Sequence, residues 1–493
     1  MKLSIKNFGA IKDGEIDLSK KVYVFVGYNN TGKTYISQLM YALNVQSFSK
    51  GITDKLGEDN DLGIKISNNK FKITKTILKK FTTALNEVLI EEVIPKVFNI
   101  SPNHHLLENA EIKILQPEIK QIEDREKVEI SSILATNLDD KVYETIRLIK
   151  QSKSLEITIE EKEFPAKVAD ALGMDMPTFK EAYKITLIHR FLFQLFYLFE
   201  GNSFYLPASR LFYPTFYQYI FRVEKKKREL TSANLAEIID QAKDTNKKEI
   251  LKLLEREQHS LKSPYTEPTN NLINKIYDIN GDVKVSPDYA DYIETLEKLM
   301  GGKLEIERAE GIANKEFMLK VDDENKLDMY MASSSANQLT TLYLYFKYWV
   351  KDYLNFLIID EPEENLHPKS QLKLLEILLD FANKNNNRLL LVNHTPLFTE
   401  ALNNYIMLGT LKKKLEPEEY DNVVRKLKIK DIPINKEDVG IYFFNGNEIR
   451  EYEVGEYGTT FKDFDREIYK VKNTSEELSS LILEAKTNVS IPT

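Results

Sequence analysis

The sequence predicts an α/β protein in which a mixed sheet draws strands from both ends of the chain and encloses a large, mainly helical insertion. Three observations carry this expectation. Strand-like alternation opens the chain at Leu3, Ile5, Ile16 and Leu18 and leads into the apolar run VYVFV at Val22–Val26. A strand, helix, strand order returns late, with FLII at Phe356–Ile359, a helix over Lys369–Ala382 and LLLV at Leu389–Val392. That order implies parallel pairing through a right-handed crossover. Between the two blocks, apolar residues fall mostly at helical spacing.

Each element follows from pattern and punctuation. After VYVFV comes a glycine-containing loop and then YISQLMYAL, a helical stretch. The chain turns polar at Asn44 and runs into GITDKLGEDNDLG, whose Gly and Asp content marks an exposed connection, so residues 1–45 form the first piece of a discontinuous head. In the insertion, 46–199, Ile77, Phe81, Leu85, Val88 and Leu89 share a helical face. The head resumes over 200–405, with a helical segment within 211–300 where Leu235, Ile238, Ile239, Ile250, Leu253 and Leu254 repeat the spacing. From Gly302, GKLEIERAE, KEFMLKV and KLDMYM read as three short strands. Residues 406–493 remain as a C-terminal α/β extension. No heptad pattern is sustained, so no long coiled-coil arm is expected.

Composition narrows the class. Hydrophobic residues at 42% and charged residues at 29% place the chain with globular proteins that fold throughout. The absence of cysteine excludes a disulfide framework, thiolate metal sites and a cysteine nucleophile, and fits a reducing cytoplasm. Lys6, Lys12 and Asp13 stand where an export signal needs an apolar stretch, and the greasiest segment, Phe191–Phe199, falls well short of the ~20 residues of a membrane-spanning helix. A cytoplasmic protein without membrane contact is expected. The net charge of −8 confines any contact with nucleic acid to a local patch, for which Lys225–Arg228 and Lys412–Lys414 are the two basic runs. The aromatic stretch Phe191–Phe221 has few interleaved basic residues and reads as core and interface rather than as a base-stacking platform.

Chemistry concentrates in a few segments. Gly27–Thr34, GYNNTGKT, matches G-x-x-x-x-G-K-[ST] with a buried strand before it and a helix after it. Its glycines let backbone N–H groups curl around a phosphate, and the helix N-terminus adds positive potential. Gly27, Asn29, Asn30, Thr31, Gly32, Lys33, Thr34 and Tyr35 are the expected nucleotide-binding positions, with Lys33 reaching the outer phosphates and Thr34 ligating Mg²⁺. Asp360 and Glu361 close the FLII strand, at the end of a parallel strand where α/β sheets bind ligands. Asp360 is expected to hold Mg²⁺, and Glu361 to orient and polarise an attacking water. His394, in NHTP at the tip of the next strand, reaches toward a terminal phosphate, whereas His104, His105, His189 and His259 read as structural. Ser333, Ser334 and Ser335 precede an apolar-periodic helix and read both as a capping cluster and as a hydroxyl-rich phosphate receptor. SFYLPASR is an apolar strand entering a proline turn, with Arg210 on the surface or in the core. The acidic pair Asp463 and Asp465 lies in a helix-like context.

In order and type, GYNNTGKT, SSSANQL, FLIIDEPEENLHP and LLVNHTP resemble the Walker A, signature, Walker B with D-loop, and switch-histidine elements of ABC-type ATPases, above all the RecF/SMC/OLD-like group. MKLSIKNFGAIKDGEI, YLPASR, MGGKLEIE, the serine-rich signature and ENLHP further resemble the ATPases of bacterial phage-defence systems such as Septu and PARIS. The resemblance covers residues 1–45 and roughly 200–405. It implies a discontinuous ABC-type ATPase head with a P-loop, ATP and Mg²⁺ as cofactors, and catalysis by Glu361 and His394. It also implies a homo-oligomer built at least from head-to-head dimers, with Ser333–Ser335 meeting the ATP of the other subunit. A separately encoded effector protein, in antiviral defence, is the implied partner; a RecF-like DNA-repair ATPase and an ATP-stabilised, non-hydrolysing scaffold are the alternatives. Two departures stand out. Ser335 and Ala336 replace the glycines of the LSGGQ form, and the short tail after His394 holds no histidine, so neither a Toprim nor an HNH nuclease is expected there.

Overall fold

The opening alternation folds into β1 (Lys2–Phe8), β2 (Ile11–Asp17) and β3 (Val22–Gly27), followed by α1 (Lys33–Ala42). The structure is a computed structural model that describes all residues except 58–61, 102, 137–140, 163–174, 197, 199–201, 217–264, 280–282, 284, 309–314 and 489–493. The insertion continues with α2 (Gln46–Leu56), β4 (Lys70–Lys72), α3 (Lys75–Val88), α4 (Ile94–Phe98), β5 (Glu111–Ile114), α5 (Ile119–Asp124), β6 (Val128–Thr136), β7 (Lys141–Lys150), β8 (Glu156–Glu161) and α6 (Met176–Leu195). Then come β9 (Ser203–Leu206), α7 (Glu267–Asp278), α8 (Ala290–Met300), β10 (Lys303–Arg308), β11 (Lys315–Lys320), β12 (Lys326–Asp328) and α9 (Ser334–Leu344). The chain closes with β13 (Phe356–Asp360), α10 (Pro368–Asn383), β14 (Arg388–Val392), α11 (Pro396–Lys414), α12 (Pro417–Leu427), β15 (Val439–Phe444), β16 (Glu448–Tyr452) and α13 (Lys462–Asn488). The Lys225–Arg228 run, His259 and the helical spacing at 235–254 lie outside the described residues.

Among the described residues, nine strands form one mixed sheet in the order β5-β1-β2-β16-β15-β3-β14-β13-β9. β13 and β14 pair in parallel, as the crossover through α10 requires, with Ile358 opposite Leu390. β3 lies parallel between β14 and β15 and is buried along its whole length. Its period-two side chains divide between two cores: Tyr23 and Phe25 face one side of the sheet, and Val22, Val24 and Val26 the other. The first side is covered by α1 and the helices of the insertion, and the second by α7 to α11. A strand buried on both faces is why VYVFV reads as a continuous apolar run.

Two features go beyond the sequence reading. The insertion is helical, yet it also carries a four-stranded antiparallel sheet, β4-β8-β7-β6, and lends β5 to the edge of the main sheet. Residues 406–493, expected as an extension, instead supply β15 and β16 to the middle of the head sheet, where β15 pairs with β3 and β16 with β2. The main sheet therefore draws strands from residues 1–45, from the insertion through β5, and from residues beyond 200. β10, β11 and β12 form a separate antiparallel sheet, as the three short segments suggest. The greasy segment packs as core: Phe191, Leu192, Phe193 and Leu195 of α6 are buried. No described helix is long and apolar enough to cross a membrane.

The route into β15 depends on a close approach at Gly409. A Cβ there would meet the main-chain oxygen of Ile434 at 2.0 Å, while Ile434 donates its N–H to Tyr405 O at 3.0 Å. Gly409→Ala should therefore push α11 away from the segment that feeds β15, despite the better helix propensity of alanine. A loss of about 1–3 kcal/mol is expected, read as a lower urea midpoint. An unchanged midpoint would show that the contact yields freely.

Candidate active site

The phosphate loop is shaped by backbone that only certain residues adopt. Gly27 has φ 139° and Gly32 φ 93°, both in the half of conformational space that favours glycine. A Cβ on Gly27 would lie 2.1 Å from Phe444 O, so β15 closes off any larger residue. Asn30 takes φ 61°, a conformation asparagine tolerates well. Gly32 caps α1 without a side-chain bond, leaving the helix's first N–H groups and its positive potential facing the loop. Thr31 Oγ1 donates to Tyr28 O at 2.7 Å and pins the loop's middle. Asn29, Asn30, Thr34 and Tyr35 are exposed along its rim. The buried Lys33 ammonium donates to the carbonyls of Gly27, at 3.1 Å, and Tyr28. Burial brings its pKa down to about 8, with the Glu361 and Asp360 carboxylates pulling the other way.

Asp360 is 2% exposed at the end of an apolar strand, where an unpaired carboxylate would be costly. Tyr205 donates its hydroxyl to Oδ2 at 2.7 Å, and Ser37 Oγ lies 3.0 Å from Oδ1 and 3.0 Å from Thr34 O. Burial nonetheless pushes the Asp360 carboxyl up, against the hydrogen bonds from Tyr205, Ser37 and Thr34 and the charge of Arg210. Tyr205 arrives on β9, the parallel neighbour of β13, where it stands opposite Ile358. Thr34 and Asp360 together present the hard oxygen donors that Mg²⁺ takes.

Glu361 turns sharply out of the sheet, with φ 50°. Its N–H donates to Val392 O at 2.8 Å, while its carbonyl accepts from Arg210 Nη2 at 3.0 Å and Gln338 Nε2 at 3.3 Å. The turn brings Oε1 within 3.2 Å of His394 Nε2. That hydrogen bond, ahead of the opposing effect of burial, holds the Glu361 carboxyl below the usual glutamate range. His394 is placed in turn by its own N–H, which donates to Glu363 Oε1 at 2.7 Å. Burial raises the Glu363 carboxyl, and its other oxygen is buried without a hydrogen-bond partner among the described residues.

Lys33, the adjacent Asp360 and Glu361, and His394, drawn from three separate segments, thus meet at the ends of β3, β13 and β14. An ammonium beside a curled loop, a buried carboxylate ringed by hydroxyls and a half-exposed carboxylate paired with imidazole suit phosphoryl chemistry with water as attacking group. The serines stand at the N-terminus of α9: Ser333 Oγ accepts from Ala336 N at 3.2 Å and lies 2.9 Å from Ser335 Oγ, and Ser333 and Ser334 are exposed. The helix cap is thereby accounted for by Ser333. His104 and His105 stack with ring centroids 4.1 Å apart, and no group of three or more metal-ligating side chains occurs among the described residues. The side chains of Asp463 and Asp465 lie outside the described ones.

Sequence reasoning missed Ser37, Tyr205, Gln338 and Glu363. Ser37 lies one helical turn beyond Thr34, a spacing that puts both on one face of α1. Tyr205, Gln338 and Glu363 lie within YLPASR, SSSANQL and FLIIDEPEENLHP, but nothing in those segments singles them out.

The family model described as an AAA ATPase domain matches residues 1–399. No curated protein is significantly similar to the chain. Among solved structures, the chain is similar to the Smc head domain from Pyrococcus furiosus bound to the C-terminal domain of ScpA, at 12% identity, covering 97% of this chain and 98% of that one with a TM-score of 0.30. The SMC head domain from Thermotoga maritima gives 10% identity, 92% and 98% coverage and a TM-score of 0.27. The recombination mediator protein RecF-ATPrS gives 10%, 91% and 97%, and 0.28.

Removing the tyrosine hydroxyl tests the buried carboxylate. Tyr205→Phe leaves Asp360 with one fewer donor, an omission that costs about 1–3 kcal/mol at a buried charged group. Mg²⁺-dependent ATP affinity should fall roughly tenfold by equilibrium binding, with affinity in EDTA little changed. Equal losses with and without Mg²⁺ would mean that Tyr205 supports only the sheet.

Proposed function

We propose, for a chain that belongs to the AAA ATPase domain family and is an ATPase, that ATP at the phosphate loop draws two heads together face to face and that this pairing controls a separately encoded effector in antiviral defence. The observation that carries the pairing is the exposed serine cluster at the N-terminus of α9. Ser333 and Ser334 offer hydroxyls and helix N–H groups outward, and among the described residues none of their hydrogen bonds reaches the phosphate loop of the same chain. A second head would bring its own terminal phosphate to them. The defence role is supported by the likeness of YLPASR, MGGKLEIE, SSSANQL and ENLHP to phage-defence ATPases.

In this reading the loop N–H groups and Lys33 hold the phosphates, and Thr34 and Asp360 hold Mg²⁺, which when bound neutralises charge on the phosphate oxygens. Glu361 orients and polarises the attacking water, and His394 holds the Glu361 carboxylate and senses the terminal phosphate.

Glu361→Gln should retain ATP binding while hydrolysis falls roughly 100- to 10,000-fold; turnover within a few-fold of wild type would make Glu361 a bystander. The pH profile adds a second check. With its pKa lowered by His394, Glu361 stays ionised above that depressed value and loses the carboxylate only as pH falls through it. His394→Ala should therefore move the acid limb of kcat to higher pH, toward the ordinary glutamate range, and an unmoved limb would separate the pair.

Ser334→Arg should leave ATP binding intact and block head pairing, because a bulky cation would fill the place of the partner's phosphate. Turnover per head should stay low as protein concentration rises. Wild-type, concentration-dependent turnover would reduce the serines to a helix cap.

A further inference from the structure

Glu361 occupies a left-handed backbone conformation, φ 50°, at the point where β13 ends. A glutamate in that region persists only when its surroundings over-determine it. Here they do. The Arg210 side chain, 2% exposed, sends Nη1 to the carbonyls of Pro207, at 3.1 Å, and Asp360, and Nη2 to the carbonyl of Glu361 at 3.0 Å. The planar fork thus spans two successive peptide oxygens, which a lysine ammonium cannot match in geometry. Among the described residues every hydrogen bond of this buried cation goes to a main-chain oxygen rather than to a carboxylate. Gln338, 1% exposed, adds a second side-chain donor to Glu361 O at 3.3 Å. It rides on α9, the helix that begins at the serine cluster.

We propose that Arg210, assisted by Gln338, is a positioning residue that fixes the left-handed turn at Glu361 and so aims its carboxylate at His394 and the phosphate loop. Neither side chain touches the reacting atoms; Arg210 acts through the carbonyls of Asp360 and Glu361, and Gln338 through that of Glu361. The proposal rests on the reading of Glu361 as the group that polarises water.

The test uses the full chain and compares Arg210→Lys, Gln338→Met and Glu361→Gln, alone and combined, by steady-state kinetics, equilibrium binding of a fluorescent ATP analogue and thermal unfolding. Misaiming a catalytic group by about 1 Å costs on the order of 100-fold, so Arg210→Lys should lower kcat by roughly 10- to 100-fold, with KM and analogue affinity within about threefold of wild type. Gln338→Met, which keeps size and loses the donor, should lower kcat by a smaller factor, about 3- to 10-fold. In the Glu361→Gln background, Arg210→Lys should lower turnover no further, since the carboxylate it aims is already gone. A folded Arg210→Lys with wild-type kcat, or one that lowers turnover as much in the Glu361→Gln background as in wild type, would overturn the clamp. If Arg210→Lys fails to fold, Gln338→Met decides, and an unchanged kcat overturns the proposal. Wild-type turnover in Glu361→Gln alone would remove the premise and the clamp with it, whereas an inactive Glu361→Gln beside an unimpaired Arg210→Lys overturns the clamp alone.

Discussion

A carboxylate buried at the end of an apolar strand cannot stand without donors, and the surroundings of Asp360 are arranged around that requirement. β13 delivers it into the sheet interior, so the donors have to come from neighbours: Ser37 from α1 and Tyr205 from β9. Arg210, just past β9, adds positive charge to the same region while bonding the peptide oxygens. Each donor fixes a relation between elements distant in the chain. Ser37 ties the helix of the phosphate loop to β13, and Tyr205 ties the edge strand to it.

The sheet order makes this economical. With β3, β14, β13 and β9 adjacent and parallel, the loop after β3, the carboxylates after β13 and the histidine after β14 emerge along one edge. β15 guards the other side of β3: its Phe444 oxygen lies so close to Gly27 that the loop's first residue has no room for a side chain. The C-terminal part of the chain therefore helps shape the phosphate loop, although nothing in it carries a motif.

Burial divides the site into fixed and accessible parts. Asp360, Lys33, Arg210, Gln338 and Glu363 are buried, whereas Glu361 and His394 are partly open, and Ser333 and Ser334 are exposed. Groups that set charge and geometry are held by packing, and groups suited to meet water or a second head face outward. The proposed cycle of pairing and hydrolysis would use that division.

The sequence by itself determined the α/β class, the phosphate loop, the strand-borne Asp360 and Glu361 and the serine-capped helix, because each is a contiguous pattern in which strand, loop and helix signals follow one another within a few residues. The tertiary structure decided the rest. Tyr205 looked like one apolar strand residue among four, Arg210 was equally a surface or a core residue, and Gln338 was one polar residue inside an apolar helix. Their roles come from lateral strand register and helix packing, which join Tyr205 to Asp360 and Arg210 to Glu361 across more than a hundred positions and bring Gln338 of α9 to Glu361. The same holds for β15 and β16, which the sequence placed only within a C-terminal α/β extension and not beside β3 and β2. Periodicity reports which face a residue presents, whereas hydrogen-bond partners across a sheet are set by which strands lie side by side.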